Sequence, residues 1–587
     1  MLTPFSHYLQ SNQAPSEDET REIKALKANP LKEISIIDVE IDQIEGVLNS
    51  LKRKRAHIQE SIDDINTILA PVRRLPMDVL GVIFINCLAA HRNPIMSASE
   101  APILLTQICR DWRSIAFSIP RLWSRLYIPT LPIVLQYPPE ALPYANALEA
   151  ERRVTARTEE VQRWLRLSAA CPLSITLMPA GGPVSHLPLL DSIIQSSRRW
   201  QQLELGHIRS FFSPESDVVA KLLTLSPDDL CMLRELRIHS LYSTVSPYPH
   251  EAWQLLDNPW YQSGLLTAQG LRSISIADMR STFPASIPPN WKNLNELFIG
   301  SPISLGLAQS MVKYCCNLVA CLLEIAESDI DTIPDTSITL SSYLPSLTFL
   351  SLQGDRTGCS QLFRSIEAPS LQILDYHGYF QIEPEEFGLL NLLQNINTLK
   401  TFRVDHRRLT ESIVLKYYPL IPSVTRLVFG RSRKRLGSSY YSSSYLYGYP
   451  NPGNATFMTA LHEVKHQYSH DSAPTVLFPS LEIFEAYDIS SAVTDMMLLE
   501  FIKARIDATK SNAGVSKLKK VLVEFSGIRQ TDIVPEALAY AQAAGIKLEL
   551  DVTYYGIRSP ENGLDETWSP SFGISPDDVS WIYPLYD

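Results

Sequence analysis

No Cys-x-x-Cys pair occurs among the eight cysteines of this chain, at 87, 109, 171, 231, 315, 316, 321 and 359, so neither a zinc framework nor a set of disulfides is indicated. Most of these thiols stand within apolar runs and are expected to be reduced and buried, as in a cytosolic or nuclear protein. No apolar run reaches the roughly 20 residues that a bilayer requires. None follows a basic start at the N terminus, so neither a membrane span nor a secretory signal is expected. The motifs G-x-x-x-x-G-K-[ST], G-x-G-x-x-G and G-x-S-x-G are all missing, and no cofactor is implied. Basic residues number 52 against 63 acidic ones, and the net charge of −11 argues against a nucleic-acid binder. What remains, 45% hydrophobic and 20% charged over 587 residues, is the composition of a globular protein long enough for several domains.

Residues 1–30 are polar, with the acidic run Ser16-Glu17-Asp18-Glu19, and read as a disordered tail. From 31 to 70 an apolar repeat spaced 3, 4, 3, 4 runs through Ile34, Ile37, Ile41, Ile44, Leu48, Leu51, Arg55, Ile58, Ile62, Ile65 and Leu69. Five heptads with a single polar member predict a coiled-coil helix. With Ile34 at an a position, the flanking e and g residues are acidic early (Glu33, Asp38, Glu40, Glu45) and basic later (Lys52, Lys54). A parallel homodimer would set Glu33 against Asp38 and Glu40 against Glu45. The helix is therefore expected either to self-associate antiparallel or to lie along its own chain.

The next stretch, 71–128, opens with RRLPMDVLGVIFINCLAA, where Met77, Val79, Leu80, Val82, Ile83, Phe84, Ile85, Cys87 and Leu88 leave almost no polar face. Such a helix must be covered on all sides, yet only about 60 residues are at hand to cover it, which points to a partner protein. Ser97-Ala98-Ser99-Glu100 has capping-box spacing. Pro102 then falls in a first helical turn, and Leu104, Leu105, Ile108, Cys109, Trp112, Ile115 and Ala116 follow at helical spacing up to Pro120. Leu122, Trp123, Leu126 and Ile128 form a last apolar cluster.

Leu75-Pro76 leading, Cys109-Arg110-Asp111-Trp112-Arg113 in the second half and Pro120-Arg121-Leu122-Trp123 at the end occur in order. In this the stretch resembles the F-box, and more narrowly the F-box-like domains of a large family of fungal F-box proteins. The resemblance implies three short helices that dock on a Skp-type adaptor, which bridges to a cullin and its RING partner. Carried over residue by residue, the adaptor-facing set is Leu75, Pro76, Val79, Leu80, Ile83 and Phe84. Cys109, Trp112, Leu122 and Trp123 would partly support the fold and partly extend the contact.

Five prolines and Glu151-Arg152-Arg153 suggest a linker over 129–160. Beyond it the chain repeats Leu-x-x-Leu-x-hydrophobic: QQLELG (201–206), LRELRI (233–238), LRSISI (271–276), LNELFI (294–299), LVACLLEI (318–325) and LTFLSL (347–352). LQILDY (371–376), LKTFRV (399–404), VTRLVF (424–429), LEIFEA (481–486) and LKKVLV (518–523) continue the theme. Apolar helical stretches lie between several of them, such as 306–315 and 387–393. Starts 23 to 29 residues apart from 271 to 424 fall in the leucine-rich-repeat range, although the Asn or Cys ladder of regular repeats is missing. The expected class is α/β, a leucine-rich-repeat-like solenoid over 161–560 with an insertion at 431–474. The fungal family that the chain resembles also carries degenerate leucine-rich repeats after its F-box. The insertion holds Arg431-Ser432-Arg433-Lys434-Arg435 and a Ser/Tyr-rich stretch that reads as an exposed loop. A tail, 561–587, closes the chain.

One catalytic pattern is present. His462-Glu463-Val464-Lys465-His466 matches H-E-x-x-H, whose histidines share a helix face to bind zinc. Lys465 places a cation beside the metal, and the motif sits in an insertion rather than on a rigid scaffold, so an ordinary amphipathic helix is the better reading. The expected function is that of a non-enzymatic substrate receptor in an SCF-type ubiquitin ligase, located in the cytoplasm or nucleus, with an unidentified protein target. A repeat scaffold acting outside the ligase is the alternative, and a zinc metalloprotease the remote one.

Overall fold

The structure, a computed structural model, describes residues 4–10, 12–90, 92–129, 144–178, 187–206, 221–222, 225–239, 263–277, 287–326, 341–354, 356–378, 388–404, 416–430, 478–489, 493–511, 514–525 and 529–554. The chain divides into two units, Met1–Val82 and Ile83–Asp587.

In the first unit one helix, α1 (Glu17–Leu69), spans 53 residues. It begins well before Pro30, which lies inside it, so the reading of 1–30 as a disordered tail is corrected over Glu17–Pro30. The reason is a capping box. Ser16 N donates to Glu19 Oε2 at 2.8 Å, and Glu19 N donates to Ser16 Oγ at 3.4 Å. The acidic run Glu17-Asp18-Glu19 is thus a first helical turn, where carboxylates oppose the helix dipole. Hydrogen bonds from Ser16 hold the Glu19 carboxyl below its ordinary pKa. No side chain of α1 is buried.

The second unit is mixed α/β around one parallel sheet. Its strands are β1 (Arg125–Pro129), β2 (Leu173–Met178), β3 (Trp200–Leu205), β4 (Glu235–His239), β5 (Ser273–Ala277), β6 (Glu296–Ile303), β7 (Ala320–Ile325) and β9 (Phe349–Gly354). They continue with β11 (Ile373–Gly378), β12 (Thr401–Val404), β13 (Arg426–Phe429), β14 (Ile483–Ile489), β15 (Lys520–Phe525) and β16 (Glu549–Tyr554). Two-residue strands β8 (Ser342–Tyr343) and β10 (Ile366–Glu367) pair separately. Among the described residues this sheet has 14 strands, and their order follows the sequence.

Alternation explains the sheet. Successive side chains point to opposite faces, so every second residue meets its counterpart on the next strand. One such row runs from Leu126 through Ile175, Leu203, Leu236, Ile274 and Leu297. It continues through Cys321, Leu350, Leu374, Phe402, Leu427, Phe484 and Val521 to Leu550. All but the last are buried. The leucine three residues upstream on most strands, such as Leu294, Leu318, Leu347 and Leu371, is buried as well. At each of these entries a backbone N–H reaches one strand back: Val319 N to Asn295 O at 2.7 Å, Thr348 N to Val319 O at 2.8 Å, Gln372 N to Thr348 O at 2.9 Å. Apolar helices return the chain between strands, among them Leu305–Tyr314 and Leu389–Gln394.

Three expectations need correction. The linker assigned to 129–160 does not separate the preceding helices from the sheet. Leu126 and Ile128 alternate into β1, the first strand, and helix Tyr144–Leu167 buries Val154, Val161, Trp164 and Leu165. Ser97-Ala98-Ser99-Glu100 opens no helix. Ser97 Oγ accepts from Ser99 N at 3.2 Å, and Glu100 is engaged by Arg92 at 2.9 and 3.0 Å. Finally, the cysteines are not mostly buried. All eight are free thiols, but Cys87, Cys109, Cys231 and Cys316 are exposed and only Cys315, Cys321 and Cys359 are buried.

Among the described residues no helix is long and apolar enough to cross a membrane. The insertion 431–474 and the tail 561–587 lie outside the described residues, although β13 and β14, which flank the insertion, pair directly.

Candidate functional site

The helix α2 (Met77–Asn86) follows Leu75-Pro76, and Leu80 N donates to Pro76 O at 3.0 Å. Its apolar residues separate by burial. Leu80 and Phe84 are buried, whereas Met77, Val79, Val82 and Ile83 are exposed, Met77 at 65% and Val82 at 60%. Pro76 is exposed and Leu75 half-buried.

The second predicted helix is broken in two. α3 (Leu105–Ile108) ends at Cys109, whose extended backbone starts α4 (Arg110–Ser118). Cys109 acts as a cap, its Sγ accepting from Trp112 N at 3.4 Å, and Arg113 Nε donates back across the break to Thr106 O at 2.7 Å. Trp112, half-buried, lies against Phe84 with ring centroids 4.8 Å apart. Leu122 and Trp123 are buried. Trp123 donates its indole N–H to Ala116 O at 2.8 Å and meets Trp164 edge-on at 4.9 Å.

Of the ten residues expected to meet an adaptor, then, Pro76, Val79, Ile83 and Cys109 are exposed, Leu75 and Trp112 are half-buried, and Leu80, Phe84, Leu122 and Trp123 are interior. Of the last four, Phe84 packs on Trp112, and Trp123 on Ala116 and Trp164. Sequence reasoning passed over Met77 and Val82 as site residues, and also Leu104 and Ile108, which are exposed at 41% and 53%. The signal for them was the surplus of apolar residues beyond what so short a segment can cover.

The connection after α2 is hydrogen-bonded to the sheet through Asn93. Buried Asn93 donates to Thr176 Oγ1 at 3.0 Å on β2, and its Oδ1 accepts from Ser174 Oγ at 3.0 Å and Arg125 Nε at 3.2 Å. Burial lowers the pKa of the Arg125 guanidinium, which also donates to the carbonyl of Arg92 at 2.5 Å.

The face of the sheet opposite the leucine row is the second candidate, for which no residues were expected from the sequence, and Glu204, Phe298, Ala320, Phe349, Asp375 and Glu485 on it are buried. It carries charge at two places with an apolar patch between them. Toward the N-terminal strands stand Glu204, Glu235, Arg237 and Glu296, with Arg237 paired to Glu235 and Thr176 donating to Glu204 at 3.0 Å. Burial raises the Glu235 pKa, the Arg237 cation opposes this, and Glu296 and Glu204 add to the rise. Phe298, Ala320 and Phe349 form the patch, with Leu322 and Ile373 packed against it. Beyond it Asp375 contacts His377 Nε2 at 2.6 Å and Arg403 at 3.7 Å, and Arg426 meets Glu485 at 2.8 Å. These residues occupy the unspecified positions of the leucine pattern, and only the strand register reveals which of them are neighbours.

Among the described residues no cluster of three or more His, Cys, Asp or Glu could hold a metal ion. His462, Glu463 and His466 lie outside the described residues. No protein-family model matches the chain, and a search of curated proteins finds no match.

Proposed function

We propose that this chain is a substrate receptor of an SCF-type ubiquitin ligase, a non-enzymatic subunit in which an F-box of short helices docks on a Skp-type adaptor and a leucine-rich-repeat-like solenoid holds a protein target. The observation that carries the reading is α2. Directly after Leu75-Pro76, it keeps Leu80 and Phe84 inside and leaves Met77, Val79, Val82 and Ile83 in water. A helix that withholds two large apolar residues for its own fold and offers four others is suited to a protein partner.

The sheet supports the solenoid half of the reading. Fourteen parallel strands in sequence order, with a continuous leucine-rich row, are what stacked repeats of about 25 residues produce. The chain's part in the reaction is proximity: it holds a substrate lysine near the charged ubiquitin carrier. Asn93 ties the connection after α2 to β2, and Trp123 packs on the helix Tyr144–Leu167.

Purification of the tagged full chain followed by mass spectrometry tests the proposal. Adaptor and cullin together, both lost on Val79→Asp with Ile83→Asp while the circular dichroism spectrum is unchanged, is the expected result. Adaptor without cullin would favour a scaffold outside the ligase. Undiminished adaptor capture by the double variant would reject this face of α2.

A further inference from the structure

α1 is a 53-residue helix with no buried side chain, and the ten apolar residues of its heptad positions from Ile34 to Leu69 are each between 44% and 67% exposed. A stripe of this length demands a cover. We propose that the cover is α1 of a second copy of this chain, aligned antiparallel so that Leu48 faces Leu51 of the other copy. The proposal is independent of the ligase reading.

Direction and register follow from charge and core composition. In a parallel pair the g and e positions bring Glu33 to Asp38 and Glu40 to Glu45 on both sides, four like-charge contacts. Antiparallel helices pair a with d, e with e and g with g. With Leu48 against Leu51, Ile34 meets Ile65, Ile37 meets Ile62 and Ile41 meets Ile58. Arg55, at an a position next to the central layer, faces Ile44, where its stem can lie on apolar surface while the guanidinium reaches out sideways to water. Glu45 falls beside Lys52 of the other copy, twice by symmetry, and no like charges meet.

A shift of one heptad in one direction places Lys52 against Lys52. In the other it gains Asp38–Lys52 and Glu40–Lys54 contacts, but it places Glu45 against Glu45 and sets Ile65 and Ile62 opposite Lys27 and Pro30. Exposed ion pairs contribute far less than the burial of whole isoleucine side chains, so the core decides. The early acidic and late basic halves of the helix thus have a use in selecting its own reversed copy.

The test uses the full chain. Sedimentation equilibrium is expected to show a dimer. Ile41→Cys and Ile58→Cys chains, mixed and oxidised beside wild type as background for the native exposed thiols, are expected to give the 41-to-58 link and neither homotypic link. Glu45→Lys is expected to raise the dimer dissociation constant about tenfold, since two attractive contacts become repulsive, and Lys52→Glu added to it is expected to restore the original value. Monomer at all concentrations, an assembly larger than two, 41-to-41 or 58-to-58 linkage, or a dimer without the 41-to-58 link would each overturn the proposal. So would a Glu45→Lys chain that dimerises as wild type does.

Discussion

Asn93 and Thr176 are 83 residues apart in sequence, yet their side chains share a 3.0 Å hydrogen bond in the interior, between the connection after α2 and the second strand of the sheet. Asn93 satisfies both its amide nitrogen and its carbonyl oxygen, the latter with Ser174 and Arg125. Asn93→Ala would leave these buried groups unpaired. A loss of about 2–3 kcal/mol is expected, measured by urea unfolding at constant m-value. An unchanged midpoint would mean that water replaces the amide without cost.

Phe84 gives a second test, because it separates fold from docking on one helix. It is fully buried and packed on Trp112. Phe84→Ala is expected to cost about 3–5 kcal/mol, the range for a large side chain removed from a core. Val79→Ala, at a position 40% exposed, is expected to change stability by no more than about 0.5 kcal/mol. Thermal melts of the two variants side by side would check the contrast, and similar losses for both would contradict the burial of α2.

The pH dependence of stability should carry the mark of Glu235. Its folded pKa lies above the ordinary value of 4.5, chiefly through burial. The folded protein therefore binds this proton more tightly than the unfolded chain. The group contributes stability below its unfolded pKa that is lost as pH rises through the folded one. Glu235→Gln, which cannot ionise, is expected to flatten the stability curve just above pH 4.5 and to raise the melting temperature at neutral pH. A variant less stable at neutral pH would mean that the pairing with Arg237 outweighs burial.

Thiol titration should divide the cysteines into classes. Cys87, Cys109, Cys231 and Cys316 are exposed and expected to react at once with an aromatic disulfide reagent, with Cys171 slower. Cys315, Cys321 and Cys359 are expected to react only after unfolding, and burial pushes the Cys315 thiol up to about 12. Peptide mapping of the labelled sites gives the readout. Early labelling of any of the last three would place a gap in the core.

Gly354 closes β9 with φ +120, and a β-carbon there would collide with the backbone carbonyl of Ile325 on β7. Gly354→Ala is expected to cost about 2 kcal/mol or more, from strain and from the displaced strand end. An Ala variant as stable as wild type in urea would show that β7 and β9 separate there without penalty.

How far the fold was legible depended on what each position has to do. All eleven leucine-rich segments became strands, because each leucine that enters the shared row must alternate with a residue on the other face. β1 was hidden because Leu126 and Ile128 also complete an apolar cluster with Leu122 and Trp123. β16 lacked the opening leucine, with Lys547 three residues before Leu550 where Leu518 stands before Val521. The start of α1 was masked by composition, since Glu17-Asp18-Glu19 suits a solvated tail as well as a first turn. At the candidate site the apolar character of α2 was evident, but not its orientation. A helix apolar all round gives no periodic signal for which residues turn inward, so Leu80 and Phe84 were grouped with Val79 and Ile83. The charged face of the sheet was not legible at all. Asp375 and Arg403 are 28 residues apart, and nothing short of the register brings them together.

The sheet's sequential order also has a consequence for how the chain is made. Each strand hydrogen-bonds to one already synthesised, so a chain emerging from the ribosome can fold by adding strands to a growing edge, without waiting for distant partners. Every intermediate of that growth ends in an open strand able to template the next. For the same reason, the loss of β16 would leave β15 as the last of the described strands, with no connection between the others needing to be rerouted.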